Sequence, residues 1–131
     1  MDLGLRGKKV ILTGGSRGLG RAALERFAEE GADVAFFSRD EDQVAEAVAS
    51  LGAHGVKVFG ESFDMANMED YPSWLQKAAD ELGGCDIFVH NASSSGSGGG
   101  GDWDVTFQTD ILGCVKGVEA LESHLENSND A

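Results

Sequence analysis

The sequence predicts an α/β fold of three layers, a parallel sheet with helices on both faces. Three observations carry this expectation. Strand-like and helix-like segments alternate along the chain, the turns between them are short, and the first two strands, "KKVILTG" and "ADVAFFS", are continuous apolar runs. Continuous runs mark strands covered on both faces, and strand–helix alternation implies right-handed crossovers and parallel pairing. A chain of 131 residues holds one hydrophobic core and is short for two, so residues 1–131 are read as a single domain.

Each element has its own signal. After "KKVILTG", the apolar residues Leu19, Ala23 and Phe27 recur at helical spacing up to Glu30, and Gly31 supplies a stop. "ADVAFFS" follows. Asp40 with Gln43 three residues on reads as a capping box, opening a helix that carries Val44, Val48 and Leu51 to Gly52. "GVKVFGESFD" alternates and is expected near a sheet edge. Tyr71, Trp74, Leu75, Ala78, Ala79 and Leu82 mark one face of a third helix, which ends at Gly83-Gly84. "CDIFVHNA" is the fourth strand. The stretch "SSSGSGGGG", residues 93–101, has the composition of a flexible linker. A last helix is expected from Asp102–Trp103 toward Leu125. Phe107, Ile111, Val115, Val118, Leu121 and Leu125 form its apolar stripe, and "ENSNDA" is a polar frayed end.

Composition narrows the function. No apolar run reaches membrane-spanning length and "MDLGLRGKK" lacks the core of a signal peptide, so a cytoplasmic protein is expected. Cys85 and Cys114 show no CxxC spacing and are read as reduced, buried residues. No two histidines or acids have metal-ligand spacing, so no metal is expected. His54 is assigned to a turn and His124 to a helix C-terminus. The net charge of −13 argues against nucleic acid and anionic membrane as partners. Residues 1–39 nevertheless carry seven cations against five acids, leaving −15 on the rest. Lys8, Lys9 and Arg26 read as ordinary solvated surface. The others gather around one glycine-rich segment, where a small anion is expected to bind.

That segment is Thr13-Gly14-Gly15-Ser16-Arg17-Gly18-Leu19-Gly20. A tight strand-to-helix turn needs backbone angles that Gly14 can supply. Gly18 would let the chain approach a pyrophosphate closely, and Gly20 would let the helix press against the strand. The helix start leaves unpaired N–H groups and about half a positive charge, which suits phosphate. A glycine-rich turn alone is a weak signal, but this one follows a buried strand and opens a helix, the context a dinucleotide-binding turn requires. The second strand ends "FFSRD". Ser38 thus stands where an acid would accept the adenosine ribose hydroxyls and favour NAD(H). Arg39 with Arg17 would clamp a 2′-phosphate, so NADP(H) is the preferred cofactor and NAD(H) the alternative. Asp40 is assigned to the helix cap, although a one-residue slip would make it the ribose acceptor. Asp64 either bonds the adenine amino group or caps a helix. Asn91 either pins the turn beside the cofactor or simply stops a strand.

With these motifs in order, the chain resembles the short-chain dehydrogenase/reductase family. "TGGSRGLG" is similar to its TGxxxGxG turn and "FD" at residues 63–64 to its acid after the third strand. "HNAS" at residues 90–93 resembles its NNAG motif, with His90 and Ser93 as departures. "WDVTFQTDILGCVKGVEAL" resembles its next helix. The resemblance covers nearly all of the chain. It implies a Rossmann-type sheet, truncated here after about four strands, and reversible hydride transfer between NADP(H) or NAD(H) and a carbonyl or alcohol substrate. The cofactor-binding set carried over is Thr13, Gly14, Ser16, Arg17, Gly18, Leu19, Gly20, Ser38, Arg39, Asp64, Met65, Asn91 and Ala92. Asp110 stands where the family has an asparagine that orders a proton-relay water, a further departure, so no catalytic residue is assigned.

The family's catalytic serine and its YxxxK tyrosine and lysine lie beyond the last residue of this sequence. Tyr71, the only tyrosine, is followed by "PSW" on an apolar helix face and is not a candidate. The chain is therefore expected to be a fragment, the cofactor-binding half of an NADP(H)-dependent oxidoreductase that does not catalyse alone. The alternative is a stand-alone, catalytically inactive nucleotide-binding or regulatory module. Family topology sets a fifth strand beside the fourth, whose bare edge would invite association. Gly113 and Gly117 offer a smooth ridge on the last helix, which often contributes to dimerisation in the family, so a homo-oligomer through that helix is expected.

Overall fold

The computed structural model describes residues 1–94 and 103–131; the linker after Ser94 and the expected helix start at Asp102 lie outside the described residues. The order is β1 (Lys9–Thr13), α1 (Gly18–Glu29), β2 (Asp33–Ser38), α2 (Glu41–Gly52), β3 (Val58–Ser62), α3 (Tyr71–Leu82) and β4 (Ile87–His90). A short helix α4 (Trp103–Thr106) then runs through a π-helical segment (Phe107–Leu112) into α5 (Gly113–Asn127). The strands form one parallel sheet in the order β3-β2-β1-β4. The expected three-layer α/β architecture is present, with β3 at an edge as its alternating pattern implied.

Alternation along the strands divides the core. Val10, Leu12, Val34 and Phe36 pack with Leu24, Ala28, Val44, Ala47 and Leu51 of α1 and α2. Ile11, Ala35 and Phe37 face the other way, onto Tyr71, Trp74, Leu75, Ala78 and Leu121 from α3 and α5. Side chains of opposite parity along a strand project to opposite faces, so both sides of β1 and β2 are covered. The buried face of α3 is the set read from its spacing, and Gly83 ends it in the left-handed conformation.

Two helices bury the expected face only in part: Ala23 and Phe27 of α1 and Leu121 and Leu125 of α5 pack against the core, and the rest of each stripe does not. In α1 the buried line is Gly20, Leu24 and Ala28, and Leu19 is 85% exposed. A Cβ on Gly20 would overlap the Gly14 carbonyl, so the missing side chain draws this line of the helix against the turn and rotates Leu19 outward. In α5 the buried line is Gly113, Gly117 and Leu121. Phe88 of β4 and the Tyr71 hydroxyl lie against Gly117, and Met65 and His90 lie against Gly113. The glycine ridge therefore packs inside the chain, not toward a second copy. Phe107, Ile111, Val115 and Val118 from the expected apolar stripe are exposed.

Smaller differences follow from specific bonds. The C-terminal residues are not frayed: α5 reaches Asn127, Ser128 Oγ donates to Asp86 Oδ1 at 2.6 Å, and Asp130 pairs with Lys8. Cys85 is buried, with its thiol pushed up to about 11 by burial, whereas Cys114 is only half-buried. No helix among the described residues is long and apolar enough to cross a membrane.

Candidate dinucleotide-binding site

The carboxyl ends of β1, β2 and β4 meet at the glycine turn. Gly14 takes φ 77°, a value that side-chain-bearing residues rarely adopt. The turn folds back so that the Gly14 and Gly15 amides both donate to the Phe37 carbonyl, at 3.1 Å each. The first strand and second strand are thereby locked just where the site begins. Gly18 also has positive φ, 62°, and a Cβ there would meet nothing within 4 Å. Gly20 is the reverse case, crowded by Gly14 and Asn91. One glycine leaves room outside the chain, and the other removes bulk inside it.

β4 fastens the turn from the other side. Asn91 Nδ2 donates to the Gly14 carbonyl at 2.7 Å, so Asn91 pins the turn as well as ending the strand. The backbone amides of Asn91 and Ala92 both donate to Thr13 Oγ1, at 3.0 Å each. Those two bonds use both lone pairs of the buried Thr13 hydroxyl. Its hydrogen then goes to His90 Nδ1, 3.3 Å away, which fixes Nδ1 as an acceptor and the ring as neutral. Burial pushes the His90 pKa below the usual range, against the opposing pull of the Thr109 backbone and the Asp110 carboxylate. His90 was legible only as a departure from NNAG; its role as the acceptor for Thr13 depends on strand pairing that sequence spacing does not show.

The charged groups sort into engaged and free. Arg21 donates to Glu25 and, bidentately, to Glu46 at 2.8 and 3.2 Å. It also reaches the Ser16 carbonyl at 3.4 Å. These bonds raise its pKa further, so Arg21 joins α1 to α2 and is not open to an outside anion. Glu25 in turn accepts from Ser50 and pairs with His54, which gives that turn histidine a partner. Burial alone would raise the Glu25 pKa, but the bonds from Ser50, His54 and Arg21 outweigh it and hold it low. Arg17 and Arg39 are exposed, and neither guanidinium has a carboxylate partner among the described residues. Arg17 sits at the start of α1, which has no side-chain cap and no acid in its first turn. The helix N–H groups and the adjacent cation are thus open to an anion.

At the tip of β2, Ser38 Oγ lies 2.7 Å from Ser16 Oγ, and Ser16 Oγ donates to Gln43 Oε1 at 3.0 Å. Asp40 does cap α2, accepting from the Gln43 amide at 3.0 Å. Only half of the capping box forms, because the Gln43 side chain turns to Ser16. Asp64 caps no helix: it accepts from the Ala66 amide in a turn well before α3 and remains exposed. Met65 is buried beside Gly113. Asp110, in the π-helical segment, accepts from the Ser94 amide at 2.9 Å and from the Ser93 hydroxyl at 3.5 Å, and so holds the strand-end loop. Tyr71 is buried and donates to the Gly113 carbonyl at 2.8 Å; burial raises its pKa. Among the described residues no group of three or more His, Cys, Asp or Glu side chains is placed to hold a metal ion.

Comparison with known proteins agrees with this geometry. The chain is 31% identical to isoepoxydon dehydrogenase of Penicillium expansum over 137 aligned positions, covering all of this chain and 52% of that protein. L-sorbose reductase of Gluconobacter frateurii, solved with NADPH and L-sorbose, superposes with a TM-score of 0.87 at 30% identity. That match covers 95% of this chain and 50% of the reductase. A short chain dehydrogenase of Burkholderia cenocepacia in complex with NADP superposes at 0.82 with 31% identity, over 92% of this chain and 52% of that one. The chain spans about half the length of the curated relatives it matches. The family model for short chain dehydrogenases matches residues 8–131, and the chain belongs to that family.

Proposed function

We propose that these residues form the cofactor-binding half of an NADP(H)-preferring oxidoreductase acting on a carbonyl or alcohol substrate. The observation that carries the reading is the pair of free guanidinium groups, Arg17 and Arg39, beside an uncapped helix start with Ser38 at the β2 tip. Arg21 and Arg26 on the same helix are held by carboxylates. The free pair would hold a 2′-phosphate, since planar guanidinium groups match phosphate oxygens.

The other residues take roles around that contact. The start of α1, with Gly14, Gly18 and Leu19, receives the pyrophosphate; Thr13, Ser16 and Gly20 hold the turn in shape. Ser38 meets the ribose, Asp64 and Met65 border the adenine, and Asn91 with Ala92 supports the ribose region. When bound, the dinucleotide supplies the hydride acceptor or donor. The NADPH and NADP bound in two of the similar structures support this reading. The exposed residues Phe107, Ile111, Val115 and Val118 support association of two copies through the last helix, an apolar face of the kind that protein contacts cover.

Titrating NADPH and NADH into the protein tests the cofactor reading. NADPH is expected to bind more tightly, and Arg39→Asp to move the affinity ratio toward NADH by roughly tenfold or more, the scale of one charge-assisted contact. An unchanged ratio would sink the assignment.

A further inference from the structure

A serine hydroxyl has one hydrogen to give and two lone pairs. That limit turns the Ser38–Ser16–Gln43 contact into a directed chain. Ser16 gives its only hydrogen to Gln43 Oε1 at 3.0 Å, so the 2.7 Å contact between the serines must use the hydrogen of Ser38. Ser38 is then left with lone pairs alone toward the site. In this state it accepts from a ribose hydroxyl and has nothing to donate to a phosphate.

Gln43 is the only member that can reverse the chain. Its side-chain amide carries an acceptor at one end and a donor at the other. Its side chain makes no other hydrogen bond among the described residues, and the residue lies on the exposed first turn of α2. Turning the amide over lets Nε2 donate to Ser16, Ser16 donate to Ser38, and Ser38 donate outward to an anionic oxygen. Ser16 is buried, so it passes the polarity along without solvent replacing either bond.

We propose that Gln43 is a specificity-determining positioning residue, its amide setting through Ser16 whether Ser38 presents an acceptor to a ribose hydroxyl or a donor to a 2′-phosphate. This rests on the NADP(H) reading above. Gln43 acts only through Ser16 and does not itself meet the cofactor.

The test is a double-mutant cycle read by calorimetric titration of NADP+ and NAD+. Gln43→Glu fixes the acceptor state, because a carboxylate cannot donate. It is expected to lower the NADP+ to NAD+ affinity ratio by roughly tenfold, the scale of one hydrogen bond to a charged group. In a Ser16→Ala background the same change is expected to move the ratio less than about threefold, because the relay is gone. Gln43→Met, which is uncharged and offers Ser16 no strong acceptor, frees Ser16 to donate to Ser38 and is expected to lower the ratio less than Gln43→Glu does. An equal drop with and without Ser16 would mean a plain charge effect and overturn the proposal, as would an unchanged ratio in Gln43→Glu. If the unsubstituted protein itself favours NAD+, the NADP(H) reading fails first and this proposal falls with it. Circular dichroism of each variant identifies any that fails to fold, and Gln43→Met then carries the comparison with Gln43→Glu.

Discussion

Asn91 Nδ2 and the Gly14 carbonyl, 2.7 Å apart, join the end of the fourth strand to the turn after the first. The two residues are 77 positions apart in sequence, so this one bond ties the glycine turn to the long crossover. Replacing Asn91 with Ala leaves the carbonyl without its partner. The expected cost is about 1–3 kcal/mol of stability, seen as a lower urea midpoint, together with weaker dinucleotide binding. An unaltered midpoint would mean the turn is held by the Thr13 bonds alone.

Gly18 borders open space and Gly20 a packed contact. Gly20→Ala places a methyl group against Gly14 and Asn91 and is expected to cost about 1–3 kcal/mol through overpacking. Gly18→Ala meets open space and costs only the left-handed backbone strain, roughly 1–2 kcal/mol. Its main effect is expected on dinucleotide affinity. Thermal melts and titrations on the two variants should therefore rank in opposite orders; the same ranking in both would contradict the division.

The stability of the site is expected to depend on pH through His90. Its folded pKa lies below the ordinary value of 6.5 because burial disfavours the charged ring. Above 6.5 both folded and unfolded chains are neutral there and the group costs nothing. As pH falls below 6.5 the unfolded chain takes up a proton first, so stability declines until the lowered folded pKa is passed. Protonation would also force Nδ1 to donate toward Thr13, whose lone pairs are taken by Asn91 and Ala92. His90→Asn should flatten this part of the pH profile of the urea midpoint. An identical profile in both proteins would remove His90 from the account.

The outward face of the last helix yields a separate expectation. Ile111 and Val115 are about half exposed and sit on the face opposite the glycine ridge. Sedimentation of the protein is expected to show a species heavier than 13.7 kDa, and Ile111→Lys with Val115→Lys to bring it down to that mass. A monomer before substitution would show that this face is not a contact between copies.

The sequence was legible where side chains carry the packing. β1 and β2 read as apolar runs because both faces are covered, and the six buried positions of α3 stand out by spacing alone. α1 and α5 were found as helices, but part of the face each buries was misread, for one reason. Their closest contacts are made by Gly20, Gly113 and Gly117, and counting apolar side chains is blind to residues without one. The site shows the same divide. Gly14, Gly18, Arg17 and Arg39 were visible as a local motif. The neutral state of His90 and the turn of Gln43 toward Ser16 arise from partners 77 and 27 positions away. The engagement of Arg21 was half legible, since Glu25 stands at i+4, while Glu46 comes from another helix.

The adenosine side of this site is proposed to receive a 2′-phosphate. The most direct measurement compares adenosine 2′,5′-bisphosphate with adenosine 5′-monophosphate by calorimetric titration, because neither ligand needs the nicotinamide half. The bisphosphate is expected to bind at least roughly tenfold more tightly, the scale of one charge-assisted contact, with the advantage shrinking at high salt. Equal affinities, or a preference for the monophosphate, would contradict it.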